Sequence, residues 1–234
     1  MTATALNTQS LYNQLAIASH AGYRNLTHYP KLLWLLPLML VALWLGSRML
    51  MPSGPLDLSQ GHNLRRAGIL DHWAKGDLVV LVRHAERCDH STNPCLGPAD
   101  GITRKGQLVA QELGNSFRAL DLSHTNIFNS PLLRTAQTAS FAFKGASIPQ
   151  DWLFNCRRTI LEDMQQHKVD QRNMVLITHS ECFNQLEKSL NISARTVPAY
   201  GSALFVTIDP KDKSARILGF LDAQDWKSVI PQHP

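Results

Sequence analysis

Two short apolar runs, each followed at once by a basic or imidazole side chain, constrain the fold of this chain more than any other feature. One lies within residues 77–84, which read DLVVLVRH, and the other within residues 174–179, which read MVLITH. Runs of this length without polar alternation are typical of strands buried on both faces. The sequence therefore predicts an α/β fold, a three-layer α/β/α sandwich with a mainly parallel central sheet.

Helix and strand signals alternate through residues 62–234, and this alternation predicts a single domain. Thr103 is placed to cap a helix whose apolar residues recur at helical spacing. Ser130 as a helix cap, with Pro131 at the first helical position, predicts a second helix start. The other predicted elements are helices over residues 64–73, 161–167 and 181–190, a strand over 126–129, and an edge hairpin of strands 203–209 and 215–221.

Four side chains are expected at one edge of the predicted sheet. Arg83 and His84 end the first strand, and His179 ends a later one. Arg134 begins the helix that follows strand 126–129. Because the carboxyl ends of parallel strands meet at the same edge, we expect these groups to converge in one crevice.

A phosphomonoester is the ligand that such a cluster suits. Two guanidinium groups can hold phosphoryl oxygens in bidentate fashion. Neutral His84 can attack phosphorus as the nucleophile and form a phosphohistidine, which water then cleaves. Arg83, Arg134 and a protonated His179 would stabilise the charge on the transferring group. We predict neither a metal ion nor another cofactor.

At these positions the chain resembles the histidine phosphatase superfamily, which also includes the cofactor-dependent phosphoglycerate mutases. RHAE at residues 83–86 matches its RHxE signature, and SPLLRTAQTA at residues 130–139 matches the segment that supplies its second arginine. Thr178 and His179 match its second histidine, and the order agrees over about residues 77–222. The resemblance implies a phosphoric monoester hydrolase.

A narrower resemblance is to exported phosphatases of the lipopolysaccharide core. It lies in RHAERCD at residues 83–89, STNPC at 91–95 and GIT at 101–103. It implies a periplasmic enzyme that removes phosphate from heptose of the core. We keep two alternatives open: a phosphatase for another periplasmic phosphomonoester, such as inositol phosphates, and a catalytically weak phosphate- or phosphosugar-binding regulatory module.

The general acid is the least determined part of the predicted site. Phytase-like members of the superfamily place an acidic residue just after the second histidine, which makes Glu181 the candidate acid. It is equally well explained as a helix-start carboxylate that the helix dipole favours. Glu162 and Asp163 are the rival candidates.

Two further residues beside His84 belong to the predicted phosphate site. Glu86 is expected to orient the pocket. Arg87 is expected either to bind phosphate or to form an ion pair with Asp89.

Residues 32–47, LLWLLPLMLVALWLGS, are a run of sixteen residues without a charge. Extended to Met51, the run is long enough to span a bilayer if the Arg48 head group reaches the interface. We predict a transmembrane signal anchor over residues 32–51, after a cytoplasmic segment 1–31 and before a linker 52–61. A cleavable secretory signal is the main alternative, but 31 residues precede the run and no clear A-x-A site follows it.

Four cysteines bear on the compartment, and they allow three pairings. We favour disulfides between Cys88 and Cys95 and between Cys156 and Cys182, which would require an oxidising compartment. Four reduced, buried thiols are the alternative. With the predicted anchor, the disulfides favour a single-pass protein of the inner membrane whose domain lies in the periplasm.

The basic charge does not indicate nucleic-acid binding. The chain has 23 Lys and Arg against 18 Asp and Glu, but residues 1–51 hold three of the bases and none of the acids. The remainder is nearly balanced, with 20 bases against 18 acids, and has no basic stripe. We therefore expect no nucleic-acid partner. The apolar run predicts a lipid bilayer in contact with residues 32–51, and the resemblance implies a phosphorylated sugar or the lipopolysaccharide core as substrate.

Overall fold

The computed structural model describes residues 30–50, 54–193 and 197–230, and within the first range the side chains at 35–44 and 46. The chain divides into two compact units, residues 1–51 and residues 52–234. The predicted cytoplasmic segment lies almost wholly outside the described residues. Each unit is considered by itself.

The first unit contains helix α1, Pro30–Leu50. Its large apolar side chains between Leu35 and Trp44 are 54–68% exposed. Among the described residues, no helix combines the length and the apolar character that crossing a membrane requires. The predicted anchor also includes residue 51 and the side chains at 32–34, 45 and 47–50, which lie outside the described residues, so it stays a prediction.

The second unit is built on a six-stranded mixed sheet in the order β3-β2-β4-β1-β5-β6. Strands β3, β2, β4 and β1 are parallel to one another, and β5 is antiparallel to both β1 and β6. The α/β fold and the predicted edge hairpin, β5 with β6, are thereby confirmed. The strands are β1 Leu78–Arg83, β2 Thr125–Asn129, β3 Ile148–Pro149, β4 Asn173–Thr178, β5 Ala203–Ile208 and β6 Ala215–Leu221.

Helices cover both faces of this sheet. Alternate residues of β1 point to opposite faces, so Val80 packs in one core and Val79 in the other. Helices α2–α5 and α8 contribute to the first core, and α6 and α7 to the second. The helices are α2 Asn63–Arg66, α3 Ile69–Lys75, α4 Arg104–Ala119, α5 Leu133–Phe143, α6 Ile160–His167, α7 Ser180–Ser189 and α8 Trp226–Val229.

Two predicted helix features differ from the structure. The helix expected over residues 64–73 is broken into α2 and α3, because Gly68 adopts a left-handed φ of 65°. Ser130 was wrongly predicted as a cap: α5 begins at Leu133, and its capping position makes no side-chain hydrogen bond. The cap at Thr103 is confirmed, since its Oγ1 accepts a hydrogen bond from the Gly106 amide at 2.9 Å.

The second half of the predicted linker, residues 52–61, is part of the domain. The Leu58 amide donates to the Phe220 carbonyl at 3.0 Å, and the Phe220 amide donates to Leu56 at 2.8 Å. Leu58 is 1% exposed in the first core. The buried side chain of Leu58 and the backbone bonds to the edge strand β6 thus hold this segment, although its composition, rich in turn residues, predicted a linker.

The disulfides join Cys88 to Cys95 and Cys156 to Cys182, which is the predicted pairing. The first closes the loop after β1. The second ties the segment after the short 3₁₀ turn Asp151–Leu153 to the first turn of α7.

We predict that Gly114→Ala destabilises the domain. A Cβ at this position in α4 would lie 2.0 Å from the Ala142 carbonyl oxygen in α5, so the two helices would have to separate. The loss should be about 1–3 kcal/mol, as for other overpacked contacts, despite the better helix propensity of alanine. Urea unfolding measures it. Gly97→Ala, where no atom lies within 4 Å, is the control, and equal midpoints for the two variants would contradict the packing argument.

Candidate active site

The parallel pairing of β1 with β4 places two histidines side by side. Arg83 is in register with Thr178, and the His84 amide donates to the Thr178 carbonyl at 2.9 Å. The His84 and His179 rings therefore lie next to each other, with centroids 5.4 Å apart. Both side chains are buried, at 3% and 6% exposure.

The hydrogen bond of His84 determines its reactive nitrogen. Nδ1 lies 2.8 Å from the Ala85 carbonyl oxygen. A carbonyl can only accept, so Nδ1 carries the proton and Nε2 keeps its lone pair. Burial lowers the pKa of His84 to about 3, and the charges of His179, Arg134 and Arg83 act in the same direction. At neutral pH the ring is an uncharged base with Nε2 available.

His179 is held at both ring nitrogens. Its Nε2 lies 2.9 Å from the Ser130 hydroxyl, and its Nδ1 lies 3.3 Å from a terminal nitrogen of Arg134. Because a guanidinium only donates, Nδ1 accepts and Nε2 donates to Ser130. Burial lowers the pKa of His179 to about 4, with Arg134 as the next cause. The protonated His179 expected from the sequence is therefore corrected: the ring is neutral at pH 7 in the free protein.

The two arginines reach this pair from different elements. Arg83, the last residue of β1, donates to the Pro198 carbonyl, and its guanidinium lies 4.0 Å from the centroid of the Tyr200 ring. Arg134 lies in the first turn of α5. Both side chains are half-buried, and burial lowers the pKa of each. The Nε atom of each is buried and has no hydrogen-bond partner among the described residues.

Two site residues were missed by the sequence analysis. Ser130 is fully buried, and its amide donates to the Ile177 carbonyl at 3.0 Å, which fixes its hydroxyl against His179. The Tyr200 ring lies 5.6 Å from the His84 ring. Tyr200 precedes β5, which starts at this sheet edge because it is antiparallel to β1. Ser130 lies within the matched SPLLR segment, which was the available signal.

Arg87 and Glu86 are occupied by protein partners. The Nε of Arg87 donates to Asp89 at 2.8 Å, and a second contact makes the pair bidentate. Of the two roles considered for Arg87, the ion pair is the one present. Glu86 accepts from Thr103 at 2.7 Å and from Asn93 at 2.9 Å, and these bonds lower its pKa although burial acts to raise it. This ionised carboxylate organises the loop after β1, which fits the orienting role expected of it, and its place in the phosphate site stays a prediction.

Glu181 lies near the cluster but is not poised as an acid in the free protein. Burial acts to raise its pKa, but a hydrogen bond from its own amide, the charge of His179 and the Ser180 hydroxyl bring the pKa below its usual value. A general acid near neutral pH needs the opposite shift. Of the three candidate acids, only Glu181 is among the main charges that raise the pKa values of Arg83, Arg134 and His179, against the larger effect of burial. Glu162 and Asp163 lie in α6.

We predict that neither His84 nor His179 titrates between pH 5 and 8 in the folded protein, and NMR of their ring resonances measures this. Unfolded imidazoles bind a proton near pH 6.5, and the folded ones only near 3 and 4. The unfolded chain thus binds more protons in this window, so the contribution of these rings to stability is lost as the pH falls from about 6.5 toward 4. The urea-unfolded chain is the control. A folded-state midpoint near 6.5 for either ring would contradict the burial argument.

Part of the chain is similar in sequence to known proteins. The pattern of the histidine phosphatase superfamily (branch 1) matches residues 79–153. The lipopolysaccharide core heptose(II)-phosphate phosphatase of Escherichia coli O6:K15:H31 (strain 536 / UPEC) is 42% identical over 115 residues, which are 47% of this chain and 56% of that protein. The protein of the same name from Escherichia coli O9:H4 (strain HS) is 38% identical over 136 residues, 56% of this chain and 66% of that one.

The chain thus spans little more than half the length of the first of these relatives. Among solved structures, Bacillus stearothermophilus YhfR aligns with a TM-score of 0.48 and 16% identity, over 61% of this chain and 95% of that one. The superfamily match includes the strand that ends in Arg83 and the segment that carries Arg134. In sequence, residues 79–153 of the chain are thus similar to the histidine phosphatase superfamily (branch 1).

Proposed function

We propose that this protein is a phosphomonoesterase that acts through a phosphohistidine at His84. The hydrogen bond from Nδ1 of His84 to Ala85 carries the proposal, because it leaves Nε2 as a neutral nucleophile. The half-buried Arg83 and Arg134 supply the positive charge that a dianionic phosphate needs. The relatives from Escherichia coli are named phosphatases, which supports the same reaction here.

In the first step, Nε2 of His84 attacks phosphorus in line with the ester oxygen. The N–P bond forms as the P–O bond to the leaving group breaks, and the leaving oxygen takes a proton from an acid. Arg83, Arg134 and His179 stabilise the charge that is spread over the three remaining oxygens of the phosphoryl group in the transition state. His179 contributes through a ring N–H once the phosphate has displaced one of its protein partners.

In the second step, water attacks phosphorus and breaks the N–P bond. The base takes a proton from the water, inorganic phosphate leaves, and His84 returns to its neutral form. We assign the acid and base roles to Glu181, because it is the candidate acid whose charge raises the pKa values of Arg83 and His179. A bound phosphate dianion raises the pKa of an adjacent carboxyl, so that Glu181 takes up its proton with the substrate.

We propose heptose phosphate of the lipopolysaccharide core as the substrate. Two observations support this substrate: residues 83–103 resemble phosphatases of the lipopolysaccharide core, and the E. coli relatives are named for heptose phosphate. A different phosphomonoester, such as an inositol phosphate, uses the same chemistry. A phosphate- or phosphosugar-binding regulatory module is the second candidate function, and the lowered pKa of Glu181 is the observation that favours it.

We also propose that residues 32–51 anchor the protein in the inner membrane, with residues 1–31 in the cytoplasm and the domain in the periplasm. The described side chains at 35–44 are apolar, and the large ones are exposed. Two disulfides in the domain suit an oxidising compartment. An anchor would hold the site near a lipid-linked substrate.

We predict that His84→Asn lowers phosphate release from phosphomonoesters by at least about 10³-fold, because the substituted side chain cannot form the covalent intermediate. Brief exposure of the unsubstituted protein to a ³²P-labelled phosphomonoester should give an acid-labile phosphoprotein, which the variant lacks. His124→Asn changes an exposed histidine outside the cluster and is the control. Phosphate binding with neither labelling nor turnover would favour the regulatory module.

Substrate choice is tested by phosphate release from heptose-phosphate core oligosaccharides, simple phosphosugars and inositol phosphates. We expect the largest kcat/KM for the core oligosaccharides. The His84→Asn protein serves as the blank for contaminating phosphatases. A preference for inositol phosphates would overturn the proposed substrate and leave the reaction intact.

Membrane attachment is tested in the full chain by Leu36→Asp combined with Leu40→Asp. Both leucines are exposed in α1, at 68% and 60%, and two carboxylates there should release the protein from carbonate-washed membranes because a charge in the bilayer costs several kcal/mol. Leu108→Asp, at a 62% exposed position in α4, is the control.

The periplasmic location of the domain is tested separately. Protease added to spheroplasts should digest the domain. Protection of the domain would contradict a periplasmic location.

A further inference from the structure

A short exposed segment beside the site has no role in the chemistry described above. It comprises residues 154–158, and we call it the arginine rim because it holds Arg157 and Arg158. Together with Phe154 and Asn155, these arginines line a surface hollow of about 670 Å³. Phe154 is 50% exposed and lies two residues before Cys156, which is buried in the second disulfide.

Three links hold the arginine rim at the edge of the sheet that carries the two histidines. The Cys156–Cys182 disulfide joins it to α7, three residues after His179. The Thr178 hydroxyl donates to the Leu153 carbonyl at 3.1 Å. Upstream, the Gln150 amide donates to the Asn129 carbonyl at 2.8 Å, next to Ser130. The backbone of the rim is therefore held beside the strand ends that carry Ser130 and His179.

The charge of the rim adds to that of the site. Arg157 is among the charges that lower the pKa of Glu181, after that carboxyl's own amide, His179 and Ser180, and against the effect of burial. The charge of Glu181 in turn acts to raise the pKa values of Arg83 and Arg134. In the described part of the chain, neither Arg157 nor Arg158 forms an ion pair or a hydrogen bond, whereas Arg87 is paired with Asp89.

We propose that the arginine rim binds a second anionic group, a phosphate or a carboxylate, on the same saccharide whose phosphate ester lies between Arg83 and Arg134. This inference rests on the proposed function and defines its substrate class as a polyanionic saccharide. Guanidinium groups match both oxyanions in bidentate fashion. Phe154 supplies an apolar ring surface against which the C–H face of a sugar can pack.

Anionic lipid head groups share this chemistry, but the position of the rim favours the substrate. The disulfide and the Thr178 bond hold the rim next to the strand end that carries His179, and the charge of Arg157 contributes to lowering the pKa of Glu181. The test below separates the two sources.

The test is calorimetric binding to the full chain carrying His84→Asn, so that ligands are not consumed. The probes are a diheptose with one phosphate and a diheptose with a phosphate on each sugar. Adding Arg157→Gln and Arg158→Gln should weaken binding of the two-phosphate probe by about tenfold to a hundredfold, the worth of one or two charged hydrogen bonds. Binding of the one-phosphate probe should change less than twofold. Arg65→Gln with Arg66→Gln, at the other adjacent exposed pair, is the matched control.

Each other outcome overturns the inference. Equal losses on both probes would mean that the rim contacts the reacting phosphate, and no loss or no binding of either probe would mean that it is not a substrate site. Weaker binding to vesicles of anionic phospholipid, with unchanged diheptose binding, would assign the rim to the membrane. Because turnover is not needed, this test can succeed or fail separately from phosphate release by the unsubstituted protein.

Discussion

The in-register parallel pairing of β1 with β4 is the constraint on which the site depends. Both strands are buried on both faces and end at the same level, so the residues that follow them must lie side by side. His84 is bonded through its amide to Thr178, the residue before His179, so the backbones that carry the two rings cannot separate without breaking the centre of the sheet. The core therefore positions the chemistry directly, and a change at this strand pair would affect stability and reactivity together.

Burial has opposite consequences for the histidines and the arginines at this edge. It takes the proton from both imidazoles at neutral pH, which suits a nucleophile, but it leaves the guanidinium groups as the positive charge of the site. Ser130 and Arg134 hold His179 in one tautomer, and Ala85 does the same for His84. The free protein is thus arranged for a dianionic ligand, whose charge would compensate the two half-buried arginines. In the proposed reaction, Glu181 takes up a proton when the ligand binds.

Much of the fold could be predicted, because buried strands are visible in the sequence as continuous apolar runs. The residues at the ends of these runs also predicted the cluster of Arg83, His84, Arg134 and His179. Features that depend on tertiary contacts could not. The hydroxyl of Ser130 was read as a helix cap, since a serine before proline has the same local pattern whether it bonds an amide or a distant imidazole. Placing Tyr200 at the site requires knowing that β5 runs antiparallel to β1. The lowered pKa of Glu181 depends on the neighbours that the fold gives it. The partners of Glu86 and Arg87 lie within 17 residues of them, but loop geometry decides which contacts form.

The central claim is that four side chains meet around one tetrahedral anion with His84 as the nucleophile, and a crystal structure with orthovanadate tests it most directly. The account predicts a trigonal-bipyramidal vanadate bonded to Nε2 of His84, with Arg83, Arg134 and His179 on its equatorial oxygens. Vanadate bonded to Nδ1, or bound elsewhere with either guanidinium turned into solvent, would contradict it.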